Sequence, residues 1–237
     1  MSSQGKKVAV ITGASQGIGA ELVAAYRKLG RLVVATSRTV AASADPELVT
    51  VQGDISDPAT AERVIGTAAE RFGRIDTLVN NAGTFLAKPF TDYTRDEFAT
   101  VLGVNVTGFF HLTQLAVERM LTQGTGHIVT ITSSLVDHAD SHVPSVLTSL
   151  TKGGLQSATK SLAVEYAGRG IRANAVSPGI IKTPMNPEET HEALSALIPA
   201  GRLGEVSDIV GAVLYLENAP YVTGEILHVD GGQSAGH

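Results

Sequence analysis

Seven short runs rich in apolar residues punctuate the chain, and longer stretches with helical periodicity separate most of them. Residues 8–11 (VAVI), 32–35 (LVVA), 48–51 (LVTV), 77–80 (TLVN), 127–131 (HIVTI), 171–176 (IRANAV) and 225–229 (EILHV) have the length of strands. Where a run is apolar at every position, both faces of the strand are expected to be covered, as in a parallel sheet. After the first run, Ile18, Leu22, Tyr26 and Leu29 recur at helical spacing, and Gly30 is placed to end that helix. Asp57 followed by Pro58 predicts an N-cap and a first-turn proline, opening a helix to about Phe72. Thr94 and Glu97 have capping-box spacing for a long helix reaching about Leu121. A helix over 146–168 gains a broad apolar surface from Val146, Leu147, Leu150, Leu155, Leu162 and Tyr166, and Asn186-Pro187 predicts the cap of a short helix to about Ile198. The link 39–47 is too short for a crossover helix and predicts a loop or a single turn.

This alternation predicts an α/β fold: one domain over 1–237, built as a Rossmann-like, doubly wound, seven-stranded, mostly parallel sheet with helices on both faces. In such sheets a ligand sits at the carboxyl ends of the strands, where the strand order reverses. A chain of 237 residues suffices for one buried core. Its net charge of −5 gives no global basic footprint, so no nucleic-acid partner is expected. There is no cysteine, which excludes disulfides, thiolate catalysis and cysteine-ligated metal. The leader MSSQGKK meets only a four-residue apolar run, too short for a signal-peptide core or a membrane span. A cytoplasmic location without a membrane partner is therefore the expectation.

Candidate chemistry begins at 12–19, TGASQGIG, which follows the first strand and opens the first helix. Gly13 suits the tight turn, while Gly17 and Gly19 let the backbone approach a pyrophosphate at the positive end of the helix. The spacing is G-x-x-x-G-x-G rather than G-x-G-x-x-G. The second strand ends at Ser37 and Arg38, where an NAD site would place a carboxylate on the ribose 2′-hydroxyl. With no carboxylate to repel a 2′-phosphate and an arginine able to grip it, NADP(H) is favoured and NAD(H) is the alternative. Arg38 as a plain solvated arginine is the competing view, and Gln16 adds no positive charge to the argument.

Further motifs follow in order: Asp54 in GDISD, NNAG at 80–83, Asn105 in GVNVTG, Ser133 in TITSS, Lys152 in LTKGG, SPGIIKTP at 177–184 and YVTGEILHVDGG at 221–232. Taken singly, NNAG and PG are ordinary turn chemistry. Together with the glycine turn they resemble the short-chain dehydrogenase/reductase family along nearly the whole chain. That resemblance implies hydride transfer between a nicotinamide cofactor and a small carbonyl or secondary alcohol. It implies cofactor contacts from Gly13, Ser15, Gln16, Gly17, Ile18 and Gly19, from Ser37 and Arg38, and from Asp54 and Ile55 around the adenine. Asn81, Ala82 and Gly83 would line the cofactor's ribose side, Lys152 would also contact the cofactor, and Pro178, Gly179, Ile181 and Thr183 would hold the nicotinamide. It also implies a homotetramer or homodimer and a mobile lid at about 185–200.

The family's Asn–Ser–Tyr–Lys constellation is represented here by Asn105, Ser133 (with Ser134 as fallback) and Lys152, and Thr148 stands at the tyrosine position. Thr148 and Lys152 are i and i+4 and share a helix face. A phenol starts near pKa ~10. An aliphatic hydroxyl is a far weaker acid on a shorter side chain. None of Tyr26, Tyr93, Tyr166, Tyr215 and Tyr221 lies near Lys152 in sequence. Substitute donors are His138, His142, Asp137 and Asp140 in the loop 135–145, Lys152 itself if desolvated, or a water organised by Asn105. His138 and His142 have a metal-like spacing but no clear third ligand, so no metal is expected. Three readings follow: an oxidoreductase with a non-standard proton donor, an NADP-binding protein without redox turnover, and lyase or epimerase chemistry. The pocket loops 84–89, 135–145 and 185–197 hold no basic cluster, which points to a neutral carbonyl or secondary alcohol.

Overall fold

Each of the seven apolar runs forms a strand in the computed structural model, which describes residues 5–236; the start of the polar leader, residues 1–4, and residue 237 lie outside the described residues. The strands are β1 Val8–Thr12, β2 Leu32–Ser37, β3 Leu48–Gln52, β4 Thr77–Asn80, β5 Gly126–Ile131, β6 Ile171–Pro178 and β7 Ile226–Val229. They make one sheet in the order β3-β2-β1-β4-β5-β6-β7. All six pairings are parallel, so the sheet expected to be mostly parallel is parallel throughout. The chain reverses direction across the sheet between β1 and β4, and this opens a crevice at their carboxyl ends. β1, β4 and β5 are buried at every position, whereas the edge strands β3 and β7 are half-exposed.

Helices cover both faces. On one side α1 Gly17–Lys28 and α7 Val206–Asn218 bury Leu22, Tyr26, Ile209, Val213 and Leu216 against the sheet. On the other, α2 Pro58–Phe72 and α4 Gly108–Gln123 bury Val64, Ile65, Leu112 and Met120, and α5 Val146–Tyr166 adds Ala163. Removing each large side chain from water contributes about 1.5–3 kcal/mol. Local signals set the ends of the elements. The Asp57 carboxylate accepts from the Ala59 amide at 3.0 Å, and Gly30 and Gly73 take positive φ just past α1 and α2. The segment 39–47 forms no helix, and Asp45 and Glu47 tie it to Arg27 at 2.9 and 2.8 Å.

Three expectations need correction. The helix opened by the Thr94–Glu97 capping box is not uniform. α3 Arg95–Leu102 passes through one π turn, Gly103–Thr107, into α4. By length and composition residues 95–123 could cross a membrane, but Leu112, Ala116 and Met120 pack in the core while Gln114, Glu118 and Arg119 face solvent. Secondly, Asn186-Pro187 caps no helix. The Asn186 side-chain amide donates to the Ile181 carbonyl at 2.8 Å, and the segment expected as a lid holds a 3₁₀ turn, Glu188–Thr190, followed by the short α6 His191–Ser195. Thirdly, α5 ends at Tyr166 and continues as a 3₁₀ turn, Ala167–Arg169. The periodicity reading did not name α7. Its cap uses Asp208 accepting from the Glu205 amide at 2.9 Å, without the Ser or Thr that usually marks a helix start.

Candidate active site

The glycine turn sits at the carboxyl end of β1. Gly13 and Gly17 adopt φ of +65° and +51°, a region that favours glycine. A Cβ on Gly19 would collide with the Gly13 carbonyl and come within 2.6 Å of the Asn81 amide nitrogen, so the helix start can approach the strand only because this residue is glycine. α1 begins with no side-chain cap and no acidic residue in its first turn. Ser15 and Gln16 are exposed above it and Ile18 is half-buried. The Thr12 hydroxyl, which sequence reasoning passed over, accepts from the amides of Asn81 and Ala82 at 3.0 and 2.8 Å, and Asn81 donates back to the Thr12 carbonyl at 2.9 Å. These bonds stitch β1 to β4 across the crevice. Thr183 closes the turn from the far side, since a Cβ on Gly17 would lie 3.4 Å from its methyl group.

The predicted adenosine end lies beside β2 and β3. Ser37 accepts from the Thr39 amide at 3.1 Å, and Arg38 is exposed. Hydrogen bonds from the hydroxyl and amide of Ser56, at 2.7 and 2.9 Å, hold the Asp54 carboxyl below its usual range, and the nearby Arg38 charge acts in the same direction. Ile55 packs against Gly108, where an added Cβ would lie 2.9 Å away. At the predicted nicotinamide end, Pro178 is buried and Gly179 half-buried. Ile181 is only 4% exposed and packs in the core beneath the cleft wall.

Two of the four candidate catalytic positions, Lys152 and Asn105, draw together under Gly83, which is exposed. Lys152, inside α5, places its Nζ 2.9 Å from a Cβ built on Gly83, and Asn105 Oδ1 lies 3.5 Å from the same point. The Lys152 ammonium donates to the Ile131 carbonyl at 2.8 Å, and burial pulls its pKa from 10.5 to about 8. Asn105 sits in the π turn. Its Oδ1 accepts from the Thr84 amide at 2.8 Å, while its Nδ2 donates to the Thr84 carbonyl and to the Thr151 hydroxyl, both at 3.1 Å. Ser133 ends the extension of β5, and its hydroxyl accepts from the Leu135 amide at 3.3 Å. Ser134 is buried. Thr148, one turn before Lys152, is buried with a hydroxyl that reaches neither solvent nor, among the described residues, a partner.

The 3₁₀ turn Ser134–Val136 is laced to its surroundings. Ser149 donates to the Leu135 carbonyl at 2.9 Å, and Asp137 accepts from Gln156 and meets His228, each at 3.0 Å. Thr151, Gln156 and His228 carried no sequence signal of this, because their partners are distant in the chain. His138, Asp140 and His142 line a cavity of about 400 Å³ against residues 196–199, and His142 is paired with Asp140 at 2.9 Å. A second cavity of about 430 Å³ runs from Gly179–Ile181 to Arg202, Asp208 and His228. Neither includes Lys152 or Thr148.

The profile of a family described as Enoyl-(Acyl carrier protein) reductase matches residues 12–234. The 2-dehydro-3-deoxy-D-gluconate 5-dehydrogenase of Bacillus subtilis (strain 168) is 37% identical over 240 residues, covering 95% of this chain and 94% of the relative. The structure of ElxO with NADP bound superposes with a TM-score of 0.90 at 30% identity, covering 98% of this chain and 100% of the other. A short-chain type dehydrogenase/reductase from Mycobacterium marinum gives a TM-score of 0.91 at 31% identity, over 97% and 96% of the two chains. With a profile match along nearly its whole length and the crevice geometry already described, the chain belongs to the short-chain dehydrogenase/reductase family of oxidoreductases.

Proposed function

We propose that the protein is an NADP(H)-dependent oxidoreductase that interconverts a small carbonyl compound and the corresponding alcohol, with a proton donor other than tyrosine. The observation that carries this reading is the convergence of Lys152 and Asn105 on Gly83 beside an open glycine turn, kept intact although the phenol is missing. The residues present fit the cofactor. The uncapped start of α1 and the glycines of 13–19 suit a pyrophosphate, and exposed Arg38 with no carboxylate at the end of β2 suits a ribose 2′-phosphate. The ElxO structure, bound to NADP, supports the same choice, with NAD(H) as the alternative. When bound, the nicotinamide supplies or accepts the hydride. The chain's own part is to hold the ribose through Asn81, Ala82, Gly83 and Lys152, to orient the carbonyl through Ser133 or Ser134, and to move one proton.

The fold supports further parts of this reading. Phe98, Phe110, Val146, Leu150 and Val164 are exposed on α3, α4 and α5, which fits self-association through these helices into a homodimer or homotetramer. The segment 185–200 fits a lid over the substrate. A cytoplasmic location agrees with the absence of cysteine.

The sealed, unpartnered Thr148 hydroxyl favours a second reading, an NADP-binding protein without redox turnover. One assay separates the two: NADPH oxidation over a panel of aldehydes and ketones, with wild type and Thr148→Tyr side by side. The first reading expects turnover by the wild type. NADPH binding without wild-type turnover, together with activity in Thr148→Tyr, would establish the second.

A further inference from the structure

Lys152 is placed to do more than steady a neighbour. Its Nζ carries three N–H donors, and among the described residues one of them is engaged, by the Ile131 carbonyl. It lies against Gly83, an exposed residue at the mouth of the crevice. The Thr148 hydroxyl, one turn earlier at the position facing Lys152 along the helix, is sealed inside and has no partner among the described residues. Around it, the segment 81–84 contributes Thr84, the π turn Asn105 and α5 itself Thr151, all uncharged. The 3₁₀ turn after β5 contributes Ser133 and Ser134. Asp137, just after that turn, is bonded to Gln156, a full turn beyond Lys152 on α5, and to His228 of β7. Among the described residues the hydrogen bond of Nζ is to the Ile131 carbonyl, and burial is the cause that lowers its pKa.

We propose that Lys152 is itself the proton donor in carbonyl reduction and the proton acceptor in alcohol oxidation. The proposal rests on the oxidoreductase reading above. In reduction the carbonyl carbon gains a hydride, the C=O π pair moves onto oxygen, and that oxygen takes a proton from the Lys152 ammonium. A neutral amine is left and regains its proton from solvent. The carbonyl compound is reduced, NADPH is oxidised, and one solvent proton is consumed per turnover. The Ile131 carbonyl holds the amine in place in both protonation states. Such a donor must lose its proton within reach of neutral pH, and burial of Nζ has this effect by pulling its pKa to about 8.

Two measurements test this together. The first needs no turnover: the protein is labelled with ¹³C at lysine Cε, titrated without cofactor from pH 6 to 11, and the Lys152 signal is assigned by its loss in Lys152→Arg. The expected midpoint is about 8. An ordinary lysine midpoint overturns the proposal whatever the enzyme does. The second is kcat against pH in both directions with a carbonyl–alcohol pair from the panel. Reduction is expected to fall tenfold per pH unit above about 8, and oxidation to rise through the same range. Lys152→Arg keeps the charge but cannot release the proton. Because Lys152 also helps hold the ribose, NADPH binding, followed by cofactor fluorescence, is expected to weaken; with NADPH at saturation the variant is expected to lose roughly 10²–10⁴-fold in kcat, the usual size of a general acid–base contribution. Adding Thr148→Tyr to Lys152→Arg is expected to restore turnover through the phenol with a different pH profile. If Lys152→Arg keeps the wild-type kcat and profile, the proposal fails while the oxidoreductase reading stands. If the wild type turns over no carbonyl, that reading fails and the proposal falls with it.

Discussion

A buried ammonium is a cost to the fold, and Lys152 allows that cost to be measured. Its pKa falls from 10.5 to about 8 on folding, because burial disfavours the charged form. At about 1.4 kcal/mol per pH unit, this amounts to roughly 3 kcal/mol of lost stability. Between about pH 8 and 10.5 the unfolded chain binds the proton that the folded chain has released. The penalty is therefore complete below about pH 8 and is relieved as the pH rises toward 10.5. Lys152→Met is expected to raise the unfolding free energy at pH 7 by about 1–3 kcal/mol, with the gain shrinking toward pH 10.5, as read from urea midpoints. An unchanged or lower midpoint at pH 7 would mean that the ammonium is solvated in the fold. The neighbouring Thr148 hydroxyl is an unpaired buried polar group, so Thr148→Val, nearly equal in shape, is expected to gain about 1 kcal/mol. A loss of stability would reveal a partner for that hydroxyl. Both residues sit in a state that packing alone would not select, as expected where a site is kept at the expense of stability.

The π turn Gly103–Thr107 shows how elements serve the site. It lets one helix hold Asn105 against Thr84 and then bring Gly108 down onto Ile55. A Cβ at Gly108 would lie 2.9 Å from the Ile55 carbonyl oxygen, a backbone atom that cannot rotate away. Gly108→Ala is therefore expected to destabilise the fold by about 1–3 kcal/mol. It should also weaken NADPH binding in calorimetry, because the loop carrying Asp54 and Ile55 must shift. Gly66→Ala, in α2 with open space around it, is the control and is expected to be neutral or stabilising by up to about 1 kcal/mol. Equal NADPH affinity in both variants would remove Ile55 from the cofactor's surroundings. Much of this architecture was legible in the sequence because it is written locally. Val8–Thr12 shows its burial in its own composition, Asp57-Pro58 marks a helix start, and the glycines of 13–19 announce the turn. What was not legible depends on partners far away in the chain. Nothing in GVNVTG distinguishes a π turn from an α turn, and Asn186 reads as a cap until its amide is found on Ile181. Thr12 became informative only once β4 was placed beside it. Adjacent serines at 133 and 134 differ in burial by geometry that no spacing encodes.

At the scale of the whole molecule, chemistry and stability occupy opposite ends of the sheet. The crevice lies at the carboxyl ends of the strands. Near their amino ends, Glu217 of α7 is 5% exposed at its side chain and gathers His127 at 2.9 Å, the Thr77 hydroxyl at 2.9 Å and Arg31 at 3.4 Å. Burial pushes the Glu217 carboxyl up, but His127, Thr77 and Arg31 together outweigh it and hold the group below its ordinary range. Burial pushes His127 down, more than its bond to Glu217 restores. Both shifts act in the same direction with pH. As the pH falls through the ordinary histidine value near ~6.5, the unfolded chain takes up a proton that folded His127 refuses. Below the ordinary glutamate value near ~4.3, the unfolded chain does the same for Glu217. The protein should therefore lose stability continuously as it is acidified from neutrality, and this network should account for part of the loss. Glu217→Gln leaves Arg31 without its partner and is expected to cost about 3–5 kcal/mol at pH 7, the range for breaking a buried pair. It should also flatten the stability profile below about pH 4.3. Because the network touches no residue of the crevice, the folded variant is expected to bind NADPH with wild-type affinity. Urea midpoints at several pH values, with NADPH titrations on the same samples, check both halves of this argument. A folded Glu217→Gln protein with impaired NADPH binding would show that the two ends of the sheet are coupled through it.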